Sequence, residues 1–128
     1  NIQDKTLNIS IVNKIKNNVI DVMTARDYNM FCEAISVALD NAIEAAEKSD
    51  EKLLFLEFTE DKERLTLKII NSFSGTIDID ALGSKNYTSK KTGNGIGLFS
   101  ILRFNSIKTS TFIKNNKFIC IIKATKNE

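Results

Sequence analysis

An α+β fold, a two-layer sandwich with helices on one face of a mostly antiparallel sheet, is predicted by three observations. Apolar residues recur at three- and four-residue spacing through one long segment that starts at Thr24. Two pairs of strand-like runs are each joined by a short polar turn. The order is strand, long helix, two strands, glycine-bearing stretch, short helix and two strands, which leaves the helices to cover one side of a sheet. The chain has 128 residues, 42% of them hydrophobic, enough for the core of one compact domain. Proline is absent and no repeat or low-complexity segment marks a linker, so residues 1–128 read as a single domain.

Each element has a local signal. Leu7 to Ile15 alternates apolar and polar residues with β-branched content and predicts an early strand. Thr24 is a candidate N-cap with Asp27 three residues on. Behind it Phe31, Ala34, Ile35, Ala38, Ala42 and Ala45 line one side of a helix predicted over Ala25 to Lys48. Lys52 to Glu60 and Arg64 to Asn71 are strand-like, joined by "DKE", and are expected to pair antiparallel. Ser72 to Asn94 shows little periodicity and is expected to be a long loop, of the kind that forms a lid over a ligand. A short helix is expected from about Gly97, followed by a closing hairpin that turns at Asn115 and Asn116.

Composition excludes several function classes. Eighteen basic residues against sixteen acidic give a net +2, too balanced for a nucleic-acid footprint. There is no histidine, so a zinc site of the usual kind lacks its ligands. Cys32 and Cys120 lie far apart in apolar company and are expected to be reduced core thiols. No apolar run approaches the roughly 20 residues needed to cross a bilayer, and no signal-like segment opens the chain. Asn1 is not an initiator Met, and the chain is expected to be a fragment of a larger protein.

Two places hold residues suited to chemistry. Asp40, Asn41 and Glu44 fall three and four apart and project from one side of the long helix, with Glu33 and Glu47 extending it. A solvated acidic face explains the carboxylates. Asn41, set among Leu39, Ala42 and Ile43, calls for a more specific reason, because asparagine is a mediocre helix former. Its carbonyl oxygen is of the type that ligates Mg²⁺, which takes one or two protein oxygens and fills its shell with phosphate and water. The second place is "KTGNGIGLFS" (Lys91 to Ser100), which holds three of the five glycines. Its spacing is neither the dinucleotide fingerprint nor a P-loop, and no kinase catalytic-loop motifs follow it. Closely spaced glycines entering a helix let backbone N–H groups approach an anion, with Lys90 and Lys91 as countercharge. A flexible loop is the alternative for the glycines taken alone.

Together, "ALDNAIEAA" on the long helix and "TSKKTGNGIGL" downstream resemble the N-box and second glycine box of the GHKL family, which includes DNA gyrase B subunits, heat-shock chaperones, sensor histidine kinases and MutL. The resemblance covers nearly the whole chain and is strongest to the ATP-binding catalytic domains of quorum-sensing sensor kinases of the accessory-gene-regulator type. It implies the GHKL (Bergerat) sandwich, ATP and Mg²⁺ as ligands, and a role for each matching position. Asn41 would hold Mg²⁺ against the nucleotide phosphates. Gly93, Gly95 and Gly97 would contact phosphate, and Lys90 is similar to lid lysines that reach it. Asn71 stands where the family usually has an Asp that accepts a hydrogen bond from the adenine amino group. An amide oxygen accepts the same bond, and Asn71→Asp is expected to bind adenine as tightly or more tightly.

One further departure refines the reading. Val37 occupies the place of the general base that gyrase-like ATPases carry, which argues against efficient hydrolysis and leaves no catalytic side chain assigned. Phosphoryl transfer to a histidine does not need that base, since imidazole is already a nucleophile. The resemblance therefore implies a histidine protein kinase catalytic domain that delivers the γ-phosphoryl group to a histidine on a separate dimerisation domain. That domain is expected N-terminal to Asn1, with a membrane sensor before it, a response regulator downstream, and the whole protein a homodimer with this domain in the bacterial cytoplasm. Anti-sigma-factor serine kinases of the same fold, and a degenerate nucleotide-binding or dimerisation module, are the alternatives.

Overall fold

The computed structural model describes residues 6–16, 23–75 and 107–126. Five strands and one helix follow one another as β1 (Asn8–Asn13), α1 (Ala25–Glu47), β2 (Leu53–Glu60), β3 (Arg64–Ser72), β4 (Ile107–Lys114) and β5 (Lys117–Thr125). One mixed sheet holds all five strands in the order β1-β2-β3-β5-β4. Three of its seams are antiparallel, and β1 joins β2 in parallel, from Asn8 opposite Leu53 to Asn13 opposite Phe58. A parallel pair needs a crossover, and α1 lies within it. The α+β sandwich expected from the order of elements is the fold observed.

Local chemistry sets the boundaries. Thr24 Oγ1 accepts from Asp27 N at 3.1 Å and so satisfies one of the first-turn amides of α1, as its position predicts. In the β2–β3 turn Asp61 Oδ1 accepts from Glu63 N and Arg64 N, both at 2.8 Å. Asn115 (φ 53°) and Asn116 (φ 61°) make the β4–β5 turn, two positive-φ residues that asparagine tolerates better than most.

The core lies between α1 and the sheet. Phe31, Ala34, Ala38, Ala42 and Ala46 form the buried stripe of α1, which packs chiefly on β3. The small side chains bring the helix close to Leu54, Leu56, Leu65, Leu67, Ile69 and Ile122, all buried. Cys120 belongs to this core, and burial pushes its thiol up to about 12. Cys32 does not: it is exposed, one residue past Phe31 and therefore about 100° around the helix from the buried stripe, which corrects the expectation of two core thiols.

Two further expectations shift. Ile9 and Ile11, on the same side as Leu54 and Leu56, are 53% and 63% exposed, because α1 rests on the middle of the sheet and β1 is its edge. Ser72, taken as the start of the long loop, is the last residue of β3. The rest of that loop and the short helix from Gly97 lie outside the described residues.

Candidate functional site

The two ends of the sheet differ in chemistry. At the end where β2 stops and β3 starts, Glu60 Oε2 pairs with Lys126 Nζ at 2.8 Å and Glu60 Oε1 accepts from Lys16 N at 2.6 Å. Only about a tenth of either side chain is exposed: 9% for Lys126 and 10% for Glu60. Beside them, the two backbone amides donated to Asp61 hold its carboxyl below the usual range.

The opposite end carries neutral polar groups at depth. The side-chain period of β3 puts Asn71 on the helix-facing side after Leu65, Leu67 and Ile69, and it is 1% exposed. A buried asparagine must be hydrogen-bonded. Asn71 Nδ2 donates to Ser72 O at 2.9 Å. A carbonyl only accepts, so the nitrogen must face Ser72 and Oδ1 is turned elsewhere as an acceptor.

Next to it, Ser72 Oγ lies 2.6 Å from Ser49 Oγ, just past the end of α1. This contact fixes the C-terminal end of α1 at the Asn71 end of β3. Asn41, half-buried, stands about 7.5 Å back along the helix axis from Ala46. Of its neighbours, Asp40 is exposed and Glu44 pairs with Lys48 at 3.5 Å, so the carboxylates behave as the solvated face their spacing suggested. Val37 is half-buried against the core and brings no carboxylate to its place. Lys90, Gly93, Gly95 and Gly97 lie outside the described residues.

Asn41 and Asn71 are thus carried by two elements that pack on each other, with the helix end tied to the strand end between them. Sequence reasoning missed the tie. Ser49 and Ser72 are ordinary residues at a helix end and a strand end, and only the register of the fold brings them together. The available signal was a serine directly behind a helix whose last carbonyls need donors.

The GHKL domain family matches residues 27–119, most of the chain. The chain belongs to the GHKL family. No curated protein matches it. Among solved structures it is similar to the catalytic domain of the histidine kinase ThkA in a nucleotide-free form, with 22% identity, a TM-score of 0.68, and coverage of 94% of this chain and 80% of that one. It is similar also to the Acinetobacter baumannii histidine kinase AdeS, with 17% identity, a TM-score of 0.64, and coverage of 95% of this chain and 55% of that one. ThkA in complex with the response regulator TrrA matches with 14% identity and a TM-score of 0.70, over 96% of this chain and 35% of that one. At these identities the likeness is one of fold: this GHKL domain is built like histidine kinase catalytic domains. Among the described residues no helix is long and apolar enough to cross a membrane.

The donor set fits Mg²⁺ shared with phosphate. Among the described residues no three His, Cys, Asp or Glu gather into a cage. The Asn41 carboxamide offers one oxygen of the kind that can join water and phosphate oxygens around such a cation.

Proposed function

We propose that this domain binds Mg-ATP and is the catalytic domain of a two-component sensor histidine kinase. The observation that carries the reading is the placement of Asn41 and Asn71 on two mutually packed elements, α1 and β3, of a GHKL domain. Asn41 Oδ1 holds the metal, Asn71 Oδ1 accepts from the adenine 6-amino group, and Lys90, Gly93, Gly95 and Gly97 hold the phosphates. Bound Mg²⁺ supplies neutralisation of the triphosphate charge.

The γ-phosphoryl group passes from ATP to an imidazole nitrogen of a histidine on a separate dimerisation domain, leaving ADP. The protein's part is orientation and charge, which is why Val37 in place of a base is compatible with transfer and poor for hydrolysis. A response regulator then receives the group, and the whole protein works as a homodimer, a membrane-bound sensor of the peptide-quorum-sensing type with this domain in the cytoplasm.

ATP titration with and without Mg²⁺ tests the site. Asn41→Ala is expected to remove most of the magnesium-dependent part of the affinity. Gly95→Ala is expected to weaken phosphate contact by adding a Cβ where backbone approaches the ligand. Unchanged affinity in both variants would refute the assignment. Transfer is tested by adding a histidine-bearing dimerisation segment and following labelled phosphate: binding without transfer would leave a nucleotide-binding module only.

A further inference from the structure

The hydroxyls at the end of α1 form a relay whose direction follows from its shortest hydrogen bonds. Ser49 Oγ donates its only proton to Ala46 O at 2.7 Å, a helix C-terminal carbonyl that also accepts from Ser49 N at 3.1 Å. With the Ser49 proton on Ala46 O, Ser72 is the donor across the 2.6 Å contact between the two hydroxyls, in preference to Leu53 O at 3.4 Å. Ser72 Oγ in turn accepts from Leu53 N at 2.8 Å, and Ser49 Oγ accepts from Lys52 N at 3.0 Å. Every donor and acceptor in the chain Leu53 N, Ser72 Oγ, Ser49 Oγ, Ala46 O is used, and the serines are 2% and 3% exposed.

The same serine stabilises an unfavourable backbone. Lys52 sits at φ 51°, a left-handed conformation that a lysine adopts only when its surroundings hold it there. Its amide is tied to Ser49 Oγ, and its Nζ donates to Ser49 O at 3.1 Å. The helix end, the start of β2 and the end of β3 thus converge on two hydroxyls. The residue they fix, Ser72, is the one whose carbonyl holds the Asn71 amide nitrogen.

We propose that Ser49 and Ser72 are positioning residues for base recognition: their relay fixes the Ser72 carbonyl, which holds the Asn71 carboxamide with its oxygen, not its nitrogen, toward the base. The inference rests on the nucleotide-binding reading above and deepens it. An oxygen there accepts from the 6-amino group of adenine and repels a 6-keto purine. An amide free to turn over would offer Nδ2 to the 6-keto oxygen and lose the distinction. The arrangement selects without a charge, as an aspartate would with one.

The test compares Mg-ATP with Mg-ITP, which differ at the 6 position and N1, by calorimetry on the parent chain, Ser72→Ala and Ser49→Ala. The parent is expected to prefer ATP. Each substitution is expected to lower that preference by roughly three- to tenfold, through weaker ATP binding, with ITP within about twofold of the parent. Loss of fold stability alone would weaken both nucleotides together. A second measurement needs no variant: by NMR the Asn71 side-chain amide protons of the parent should exchange slowly, one of them being bonded to Ser72 O. An unchanged ATP-to-ITP ratio in a folded variant overturns the proposal, and so do unprotected Asn71 amide protons. A parent chain that binds no ATP overturns the nucleotide-binding reading and this inference with it, whereas ATP binding with an unaltered ratio overturns this inference alone.

Discussion

The two ends of the sheet solve the same problem with opposite chemistry. Each must tie chain segments together where the strands run out and backbone groups need partners. One end uses charge: Glu60, Lys126 and the Lys16 amide. The other buries neutral groups, Ser49, Ser72 and Asn71, and keeps its charges, Lys52 on Ser49 O and the Lys117–Glu51 pair, nearer the surface. A buried ion pair depends on both members being present, because either one alone is an uncompensated charge in a poor solvent. A hydroxyl relay depends on direction, because each hydroxyl has one proton to give. The difference suits the proposed site. Hydroxyls and an amide orient the Asn71 end without burying a carboxylate there.

The largest effect that tests this contrast is expected from Glu60→Ala, which leaves the Lys126 ammonium, only 9% exposed, without its partner and frees the exposed Lys16 amide. Urea unfolding should show a loss of about 3 to 5 kcal/mol, with nucleotide affinity of the folded protein unchanged. A loss below about 1 kcal/mol would mean that the pair behaves as a surface ion pair and that the two ends are alike in cost.

Next come the serines. Ser72→Ala orphans the Leu53 amide and Ser49→Ala the Lys52 amide, and each is expected to cost about 1 to 3 kcal/mol in the same assay. The double variant should cost clearly less than the sum, since both single changes break the one bond between the hydroxyls. Strict additivity would show that the relay does not act as a unit.

Asn71→Asp probes the neutral end from the other side. Sequence reasoning expects an aspartate here to bind adenine at least as well, but the Nδ2 bond to Ser72 O changes that expectation. An ionised carboxylate would turn an oxygen toward the Ser72 carbonyl in a site that is 1% exposed. Only the protonated acid can donate there, so the folded state holds its proton more tightly than the unfolded chain does. The sign follows: the folded state binds more protons, and stability should fall as pH rises above the ordinary carboxylate range, the reverse of a salt-bridged aspartate. Flat stability across that range would place the side chain in water.

The smallest effect is at Asp61. Its carboxyl is held below the ordinary value of 3.8 by the amides of Glu63 and Arg64, so its contribution is present above that value and is lost as pH falls through the depressed one. In an acid titration followed by amide exchange, the β2–β3 turn should loosen while the Ser49 and Ser72 amides, which depend on no titrating group, stay protected. Loosening of both ends together would remove the distinction.

What the sequence showed and what it hid follow from the range of the interactions. The helix was legible because its stripe of Phe31, Ala34, Ala38 and Ala42, its cap at Thr24 and its end near Lys48 are local features. The two hairpins were legible because Asp61 and the Asn115–Asn116 pair impose their turns within a few residues. The parallel seating of β1 beside β2 was not, because alternation specifies a strand's face and not its neighbour. Cys32 misled because apolar company in the sequence does not give the angle around a helix. Asn41 and Asn71 were singled out through a family pattern, with no local signal beyond an asparagine in an unexpected place. Ser49 and Ser72 were invisible because they are 23 residues apart and meet only once β2 and β3 are in register.

The edge position of β1 has a consequence for the domain in concentrated solution. Its six residues, Asn-Ile-Ser-Ile-Val-Asn, carry no charge and no proline, and among the described residues they form one of the two edge strands. With Ile9 and Ile11 uncovered, such a segment is a template for adding another strand, the first step of aggregation. Lys14 and Lys16 close the run as gatekeepers, yet Lys14 is paired with Glu57 at 3.4 Å, which partly neutralises it. Colloidal stability of the isolated domain therefore rests on a thin margin of charge at one edge, and ionic strength is the variable that sets it.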